Sequence, residues 1–488
     1  MRKLSLFLII FFSIFSFISA AESERKLTFL VQPFSGSGEK SLSWTAKGIT
    51  DTVVSDLSRI RSINVVTEED RRRALHEMEL AMTGLTGDEG TRSAGLLTGA
   101  DVIVTGNCTA AKDSIRVTAR IIDAVTGKII VSIKLDSSVT DIFTLQDNIV
   151  SSLIEETGKS GMKGFTLPEI SSEDKIRIAS KTVPKLSSYE LYSRALALAL
   201  AETNTGEALI LCDKAIEAQP DYYEAVILGA YIENISGHPS IALARIERAR
   251  AVLKRKGSAS DVTMAFIEMN RAPVLFGLKR YQEAFDSYAS AKKVFEKSSM
   301  SESSNYASIL TGMGASKRGL GDNTAAIKFS NQANALLEKL GMTKSSTYGW
   351  ALLNTGIICT VTGDYSEAIK IFIKASEIFS SAGLSKSQGA ALTDAQLGFA
   401  YYNTGKFDDS LKFFLSSVNT ASKMKIDNYE NYAWYNWYIA LIYFEKKGDS
   451  KKAIPYMERS VKLFKDTGSP EFQRAADYLA MIKNSTVK

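Results

Sequence analysis

The chain has 488 residues, of which 45% are hydrophobic and 23% are charged, and its formal net charge is +5. This balance is typical of globular domains, and it excludes a wholly disordered chain, a collagen-like fibre and a polytopic membrane protein. Three cysteines are too few for a disulfide framework, and two histidines are too few for a histidine-rich metal site.

Charge divides the chain into two parts. Residues 21–157 hold 15 Lys and Arg against 20 Asp and Glu, whereas residues 158–488 hold 42 against 34. The opposite signs favour two domains. No run of basic residues reaches five, so we interpret the second part as a mixed, solvated surface, with an acidic partner as the alternative, and we expect no nucleic-acid binding.

The first 21 residues are predicted to form an export signal. Arg2 and Lys3 precede the apolar run Leu4–Ile18, and small residues follow it, which predicts cleavage after Ala20 or Ala21. The run is shorter than the roughly 20 residues that cross a bilayer. We therefore expect an exported mature chain with no membrane span. No cysteine lies near the junction, so lipid attachment is not expected.

Residues 26–157 are predicted to form an α/β domain, an α+β sandwich with one mixed sheet. Strands are predicted over 27–34, 63–66 and 101–105, and 35–38 is predicted as a loop. Helices are predicted over 42–57, 68–82, 89–97 and 143–156 from their helical apolar spacing. Segments 114–123 and 128–135 flank a turn that ends at Gly127, which predicts a hairpin.

Three segments of this domain resemble one family. Residues 64–70 read Asn-Val-Val-Thr-Glu-Glu-Asp, residues 96–106 read Leu-Leu-Thr-Gly-Ala-Asp-Val-Ile-Val-Thr-Gly, and 115–127 end in Ile-Ile-Asp-Ala-Val-Thr-Gly. Together they resemble the CsgG-like family of curli secretion, with the TolB amino-terminal domain and the FlgO-type domain. The resemblance implies a periplasmic, non-catalytic module of envelope assemblies. Without a lipidated cysteine or an extra pair of long alternating strands, a secretion pore is not expected.

The second part repeats. Segment 158–186, rich in Gly and Pro, is predicted to be a linker, and residues 187–468 contain a small residue at intervals of 34, 42, 42, 42, 42 and 43. A mostly bulky residue follows four positions later, and an Ala or Ser three positions after that. The small residues are Ala208, Ala242, Ala284, Ala326, Ala368, Ser410 and Ala453.

This pattern resembles the tetratricopeptide repeat, in seven units over 187–468. The 42-residue period is similar to repeats of the kinesin light chain type. The resemblance implies an all-α superhelix, because single units cannot bury their apolar faces alone. Residues 469–488 are predicted to hold a capping helix.

The resemblance implies that the first helix of each unit lines the concave face, so we predict a groove along these helices. Inner positions of the last units carry aromatic and aliphatic residues, and nearby amides suit an extended backbone. The alternative is that long helices bury these side chains against each other or against a terminal helix. The predicted groove residues are Asn270, Trp350, Leu353, Asn354, Ile357, Gln396, Phe399, Tyr402, Tyr435 and Tyr438.

No motif predicts a catalytic, cofactor or metal site. Gly36-Ser37-Gly38 follows a strand and precedes a helix, but the third glycine of a dinucleotide loop is missing, so we interpret it as a turn. Gly158-Lys159-Ser160 lacks the first glycine of a P-loop, because Leu153 stands there. Cys108, Cys212 and Cys359 are interpreted as small core residues.

The expected function is a non-catalytic protein-interaction scaffold of the periplasm, attached to the outer membrane through a partner. Its first domain would dock to an envelope assembly, and its groove would bind a peptide or helix. The alternative is a ligand-binding or enzymatic accessory that uses the first α/β domain, which would predict a ligand at the Gly36–Gly38 loop. The sequence leaves the partner and the oligomeric state open.

Overall fold

The structure of the protein is a computed structural model. It describes residues 25–66, 98–163, 165–179, 184–200, 204–257, 260–381, 385, 387–423 and 430–485. A mixed sheet precedes a long all-helical superhelix, which confirms the predicted fold class. The predicted export signal and the predicted helices over 68–82 and 89–97 lie outside the described residues. Within these ranges no helix combines the length and hydrophobicity needed to cross a bilayer.

The first domain contains seven strands and three helices within the described ranges. Its strands are β1 (Arg25–Val31), β2 (Ser35–Gly38), β3 (Ile63–Val65), β4 (Val102–Ala111), β5 (Ser114–Asp123), β6 (Ile129–Ser138) and β7 (Phe165–Thr166). Its helices are α1 (Trp44–Leu57), α2 (Ile142–Gly158) and α3 (Ser172–Ala179).

The sheet has the order β3-β1-β4-β5-β6. Strand β1 is parallel to β3 and β4, and Phe29 lies opposite both Val65 and Val102. Strands β4, β5 and β6 are antiparallel. The central β1 is buried on both faces from Leu27 to Val31 and is apolar there except at Thr28, whereas β5 alternates because only one face is covered.

The segment predicted as a loop at 35–38 is a strand. Strand β2 pairs with β4 in parallel, with Ser35 opposite Asn107 and Gly38 opposite Ala110, so it continues the line of β1 along the same neighbour. Gly38 has φ +106°, and a Cβ there would lie 2.1 Å from the Ala110 carbonyl oxygen. Glycine is required by this close pairing, and the turn interpretation of the segment was wrong.

The segment predicted as a linker at 158–186 holds β7 and α3 and contacts the first domain. The Arg61 guanidinium pairs with the carboxylates of Glu173 at 2.5 Å and Asp174 at 3.5 Å. Ser62 donates a hydrogen bond to the Glu169 carbonyl oxygen. These contacts fasten the segment to the turn before β3.

Seven helix pairs and a final helix follow among the described residues. The pairs, numbered here as units 1 to 7, are α4 (Leu186–Leu200) with α5 (Thr205–Ala218), α6 (Tyr223–Ile235) with α7 (Pro239–Lys256), α8 (Asp261–Gly277) with α9 (Tyr281–Lys297), α10 (Ser304–Gly319) with α11 (Asn323–Lys339), α12 (Ser346–Val361) with α13 (Tyr365–Ser381), α14 (Gln388–Asn403) with α15 (Phe407–Lys423), and α16 (Glu430–Leu441) with α17 (Ser450–Asp466). A π-helical turn, Ile442–Lys446, continues α16, and α18 (Phe472–Ser485) ends the row.

The periodic residues of the sequence form the contacts inside each pair. All seven small residues lie on the second helix of their unit and are fully buried. The bulky position four residues later is also buried, from Cys212 in unit 1 to Met457 in unit 7. The period of the sequence is therefore the period of the helix-to-helix core.

The first domain shares one hydrophobic core with units 1 and 2. Helix α1 crosses α4 so closely that a Cβ on Gly48 would lie 2.5 Å from both Ser193 Oγ and Tyr189 Oη. Tyr189 packs edge-on against Trp44, with ring centroids 5.8 Å apart, and accepts a hydrogen bond from the buried Gln146 amide. Because these side chains are buried together, the domain and the first repeats form one body.

Charged groups lie beside this core. Arg59 is 1% exposed and donates a hydrogen bond to the Tyr223 hydroxyl at 3.2 Å. Tyr192 donates one to the Asp51 carboxylate at 2.5 Å. Burial raises the pKa of Glu224 to about 7, while hydrogen bonds, including one from Tyr223, and the Arg59 charge oppose the rise.

The first domain touches the repeats a second time, farther along the chain. Ser304, at the start of α10, donates a hydrogen bond from Oγ to the Val65 carbonyl oxygen at 2.9 Å. Arg25 donates one to the Leu340 carbonyl oxygen at 3.4 Å. Lys26 lies 3.9 Å from the Glu302 carboxylate. The domain thus spans from unit 1 to the loop between units 4 and 5.

Units 1 to 3 are joined by ion pairs that run from helix to helix. Arg245 of α7 binds Asp213 of α5 and Glu233 of α6. Arg271 of α8 binds the carboxylate of Glu247 in α7 at 2.5 Å. Two further contacts complete this ion-pair ladder, Arg250 with Glu268 at 2.5 Å and Arg271 with Glu268 at 3.6 Å.

Candidate protein-binding groove

The first helices of the units form the inner side of the curve. Neighbouring first helices contact each other from unit 1 through unit 6, whereas neighbouring second helices approach each other less closely in the described residues. The tighter spacing of the first helices makes their free faces concave. Side chains on those faces therefore line a groove.

Close packing inside the pairs decides which side chains face the groove. A Cβ on Gly356 would lie 2.3 Å from the Phe372 ring, and one on Gly398 would lie 2.8 Å from the Phe414 ring. These glycines let an aromatic ring of the second helix lie directly on the backbone of the first. The opposite face of each first helix remains available for other contacts.

Unit 5 supplies four of the predicted groove residues, Asn354 and three apolar side chains. Trp350 and Ile357 are half-buried, and the Trp350 ring packs edge-on against Phe379 at 6.0 Å. Leu353 is 1% exposed and belongs to the core with Phe372. Two of the three side chains are thus accessible from the groove, and Leu353 supports them from below.

Five half-buried rings of units 5 to 7 form a chain of ring contacts. Tyr438 lies 5.7 Å from Phe399 and 5.0 Å from Tyr402, measured between ring centroids. Tyr402 also contacts Phe407 at 5.5 Å, and Phe399 contacts Tyr365 at 6.3 Å. These residues, here called the aromatic cluster, are Tyr365, Phe399, Tyr402, Phe407 and Tyr438.

The aromatic cluster is partly desolvated. Burial raises the pKa of Tyr402, and the Glu445 carboxylate adds to the rise. Burial is also the main cause of the raised pKa of Tyr438. Half-buried rings of this kind offer large apolar area that a partner can cover at little entropic cost.

Tyr435 belongs to the core, although it was predicted to line the groove. It is 8% exposed, and its ring stacks on Phe414 at 6.0 Å. Burial raises the pKa of Tyr435 to about 12, and a hydrogen bond with the Gln396 side chain opposes that rise. Gln396 therefore joins unit 6 to unit 7.

A register shift in unit 7 explains the position of Tyr435. The π-helical turn Ile442–Lys446 absorbs the residue that lengthens the last interval from 42 to 43. Trp434 packs edge-on against Phe464 at 5.1 Å, as Trp350 packs against Phe379. Trp434 is thus the counterpart of Trp350, and the predicted inner positions of unit 7 were one residue too late.

The two asparagines bond to their own helices. Asn270 Nδ2 donates to the Phe266 carbonyl oxygen at 2.8 Å, and Asn354 Nδ2 donates to the Trp350 carbonyl oxygen at 3.1 Å. Each bond fixes the amide plane and uses one of its two N–H groups. Both residues are half-buried. Binding of an extended backbone by these amides stays a prediction.

The final helix covers the inner side of unit 7. Trp437, the counterpart of Leu353, is 4% exposed and lies 5.4 Å from the Tyr478 ring of α18. The Arg474 guanidinium lies over the Trp437 ring at 5.3 Å, and Tyr478 donates a hydrogen bond to Glu445. A terminal helix therefore buries part of this surface, as the alternative interpretation of the sequence expected.

Sequence reasoning missed Tyr365, Phe407, Trp434 and Trp437. The last two could have been found from the 43-residue interval, which signals one inserted residue in unit 7. Tyr365 and Phe407 each follow a glycine-containing turn and begin the second helix of their unit. Their position at the turn end of the groove depends on the packing between units, which the period alone does not show.

The potential metal ligands and the thiols form neither a metal site nor a reactive thiol site in the described residues. No group of three His, Cys, Asp or Glu side chains in these ranges could hold a metal ion. Cys108 and Cys212 are buried, and burial raises the pKa of Cys212 to about 12. Cys359 is half-buried, and burial raises its pKa as well. Raised thiol pKa values disfavour the reactive thiolate.

Comparison with known proteins agrees with the repeat geometry. Models of the tetratricopeptide repeat match residues 306–381 and 435–467, which lie in units 4 to 5 and in unit 7. Among curated proteins, no sequence matches this chain.

Three solved structures are similar at low sequence identity. A Rap protein complexed with competence and sporulation factor is 13% identical, with a TM-score of 0.47 over 71% of this chain and 98% of that one. A signal transduction ATPase with a tetratricopeptide repeat sensor from Pyrococcus horikoshii is 17% identical, with a TM-score of 0.45 over 71% and 57%. A tetratricopeptide repeat protein from Parabacteroides merdae is 14% identical, with a TM-score of 0.40 over 61% and 100%.

The family models match the same helix pairs in which the small and bulky positions pack as the period predicts. The chain therefore contains tetratricopeptide repeats, at residues 306–381 and 435–467, within a longer row of helix pairs.

Proposed function

We propose that this chain is a non-catalytic scaffold whose groove binds a peptide or a helix of a partner protein. The observation that carries the proposal is the half-buried aromatic cluster on the inner side of units 5 to 7. Together with half-buried Trp350 and Ile357, these rings place apolar side chains of three successive units on the inner side of the superhelix. Such surfaces bind the apolar face of a helix or the side chains of an extended peptide.

The proposed partner contact is apolar at its centre. Tyr402, Phe399 and Ile357 offer rings and aliphatic groups, and Asn354 retains polar groups at their side. This arrangement has an aromatic centre with hydrogen-bonding groups beside it, which is how protein interfaces concentrate binding energy.

The place of action is proposed to be the periplasm. The signal-like first 21 residues and the CsgG-like segments of the first domain support export and an envelope role. The first domain would dock to an envelope assembly through the open face of β4, β5 and β6. That face carries exposed polar and basic side chains, among them Asn107, Thr109, Arg116, Arg120 and Lys134.

Photo-crosslinking in cells tests the groove. A benzophenone amino acid replaces Tyr402, and the matched control replaces Ile373, which is exposed on the second helix of unit 5. We expect one discrete protein adduct at position 402 and none at position 373. Equal adducts at both positions, or none at 402, would contradict the groove proposal.

Sequencing of the mature amino terminus tests export. We expect a chain that begins after Ala20 or Ala21 and that is released with the periplasmic fraction. An unprocessed chain in the cytoplasmic fraction would contradict the proposed location without bearing on the groove.

The alternative role in ligand binding by the first domain stays a prediction, without the loop that it expected at Gly36–Gly38. This segment is a strand paired with β4. Its backbone N–H groups are therefore not gathered at a helix start, as a phosphate-binding loop requires.

A further inference from the structure

The two contacts between the first domain and the repeats differ in chemistry. The first contact, between α1 and α4, is built from buried apolar and aromatic side chains such as Trp44, Tyr189 and Tyr192. Opening it would expose all of them to water. This contact is therefore expected to stay closed whenever the protein is folded.

The second contact is polar. It includes the buried Ser304 hydrogen bond to the Val65 carbonyl oxygen, the Arg25 hydrogen bond to the Leu340 carbonyl oxygen and the Lys26 approach to Glu302. The backbone of Gly99 packs beside them against Met342. The core clusters of units 3 to 5 contain no residue of the first domain within the described ranges. Each of these polar contacts can be exchanged for contacts with water at small net cost.

The packing around the second contact is also incomplete. A crevice runs between the domain and the repeats, lined by Lys26, Arg61, Ile63, Ser299, Glu302 and Asn305. Burial lowers the pKa of Lys26, with Lys339 and Arg61 adding to the effect, while Glu302 opposes it. The ammonium group is thus held in partly dry surroundings by one weak ion pair.

From this asymmetry we propose that the second contact is a latch that opens while the first contact stays closed, and that the latch sets the curvature of the groove. The regulatory part of this inference rests on the proposed function of the groove. The fixed end is at units 1 and 2, and the latch is at the loops that flank unit 4. Unit 3 lies between these two points and packs on units 2 and 4, and an exposed ion pair joins its Lys279 to Glu430 of unit 7 at 3.7 Å. Because this ion pair is weak, the curvature can follow the latch.

A short path of packed residues joins the latch to the groove. The backbone at Gly99 lies against Met342, since a Cβ on Gly99 would be 3.6 Å from Met342 Cα. Met342 is fully buried in one core with Phe379. Phe379 supports the Trp350 ring at 6.0 Å. A shift of the loop at Met342 therefore reaches Trp350 through direct contacts.

Distance measurement between spin labels tests the latch in the full chain. Labels are placed at Lys128→Cys and Lys344→Cys, which are exposed, in a Cys359→Ser background that leaves only the two buried native thiols. A reference pair, Lys128→Cys with Glu217→Cys, reports on the fixed contact. The latch variant is Lys26→Glu with Ser304→Ala, and the matched control is Lys254→Glu with Ser240→Ala, which lie exposed on α7.

We expect the 128–344 distance to become longer and broader in the latch variant, with the 128–217 distance unchanged. The control should give the distances of the unmodified chain. A 128–344 distance that does not change in the latch variant would overturn the latch. A simultaneous change in 128–217 would also overturn it, because the domain would then move as a whole.

The effect on the groove is measured separately by crosslinking from position 357. We expect the yield of the adduct to fall in the latch variant and to stay constant in the control. An unchanged yield together with an opened latch would overturn the regulatory part. If no adduct forms in any variant, the proposed groove function fails, and the distances alone decide whether the latch exists.

Discussion

Units 1 to 3 and units 6 to 7 share one helix-pair geometry but hold it together in different ways. The early units are joined by the ion-pair ladder around Arg245, Glu268 and Arg271. The late units are joined by ring contacts around Phe414 and Trp437. Small residues at fixed spacing set the geometry in both, so the residues between them are free to differ.

The type of contact in each region determines how much apolar surface it leaves for a partner. In the ion-pair ladder the charged groups bind one another, so the ladder offers little apolar surface to a partner. Aromatic rings that contact one another often keep part of their apolar surface exposed. Four of the five rings of the half-buried aromatic cluster lie in the late units, and the fixed contact with the first domain lies in the early units. In the proposed scaffold, the early units anchor the superhelix and the late units offer the surface for binding.

The largest effect is expected from Phe414→Ala. The ring is fully buried, stacks on Tyr438 at 5.4 Å and lies on Gly398, so its loss leaves a cavity between units 6 and 7. We expect the free energy of unfolding to fall by about 3–5 kcal/mol. Urea denaturation followed by tryptophan fluorescence measures it. Phe413→Ala removes a half-buried neighbour and should cost less than half as much; equal costs would contradict the central role of Phe414.

The ladder is tested by Glu268→Gln. This change leaves Arg250 and Arg271 without their shared buried carboxylate, and it should cost about 3 kcal/mol, because buried charges tolerate the loss of a partner poorly. Urea denaturation measures the loss, which should persist in high salt because the groups are shielded from ions. Glu367→Gln, in an exposed pair with Lys370, serves as the control and should change nothing measurable. If the Glu268→Gln variant is as stable as the control, the ion-pair ladder does not hold units 1 to 3 together.

The pH dependence separates the two regions further. The folded-state pKa of Glu224 is about 7, above its value of 4.5 in the unfolded chain, so the folded state prefers the protonated carboxyl. Its contribution to stability is therefore complete below about pH 4.5 and is lost as the pH rises through about 7. Glu224→Gln should stabilise the protein by roughly 2 kcal/mol at pH 8 and have little effect at pH 4.5. Thermal unfolding at both pH values measures this, and an equal shift at both would contradict it.

The smallest effect concerns the helix starts. Ser303, Ser345 and Ser387 cap the first helices of units 4, 5 and 6, and each accepts a hydrogen bond from a backbone N–H, whereas α6 and α7 lack a side-chain cap. Ser387→Ala should cost about 1 kcal/mol in urea denaturation, since one N–H loses its acceptor. Ser387→Asn keeps an acceptor and should restore most of the loss; an Asn variant as weak as the Ala variant would assign the effect to packing.

The repeat geometry could be predicted because it depends on short-range spacing. Small residues such as Ala326 and Ala368 mark the second helix of each unit, and the structure buries all of them. The β5–β6 hairpin was predicted for the same reason, because its turn and both strands are contiguous. The period also led to Trp350, Phe399, Tyr402 and Tyr438, which lie half-buried at or beside the inner positions.

The errors arose where distant segments or single insertions decide the structure. Strand β2 exists because Ser35–Gly38 meets Asn107–Ala110, a pairing that local sequence cannot indicate. Tyr435 was assigned to the groove because one register of inner positions was applied to every unit, whereas the π-helical turn absorbs an extra residue inside the first helix of unit 7. The Ser304 contact with Val65 joins residues 239 positions apart, so it became visible only in the fold.

The shared core of α1 and α4 bears on how this chain can be cut and recombined. A fragment starting at residue 187 would contain every helix pair in nearly full length, yet it would leave Tyr189, Tyr192 and Leu196 bare on its first helix. The start of the repeats at residue 187 is therefore a boundary in the sequence pattern but not a boundary between independently folding domains. A chimera of two such proteins would therefore have to take the first domain and the first two repeats from the same parent.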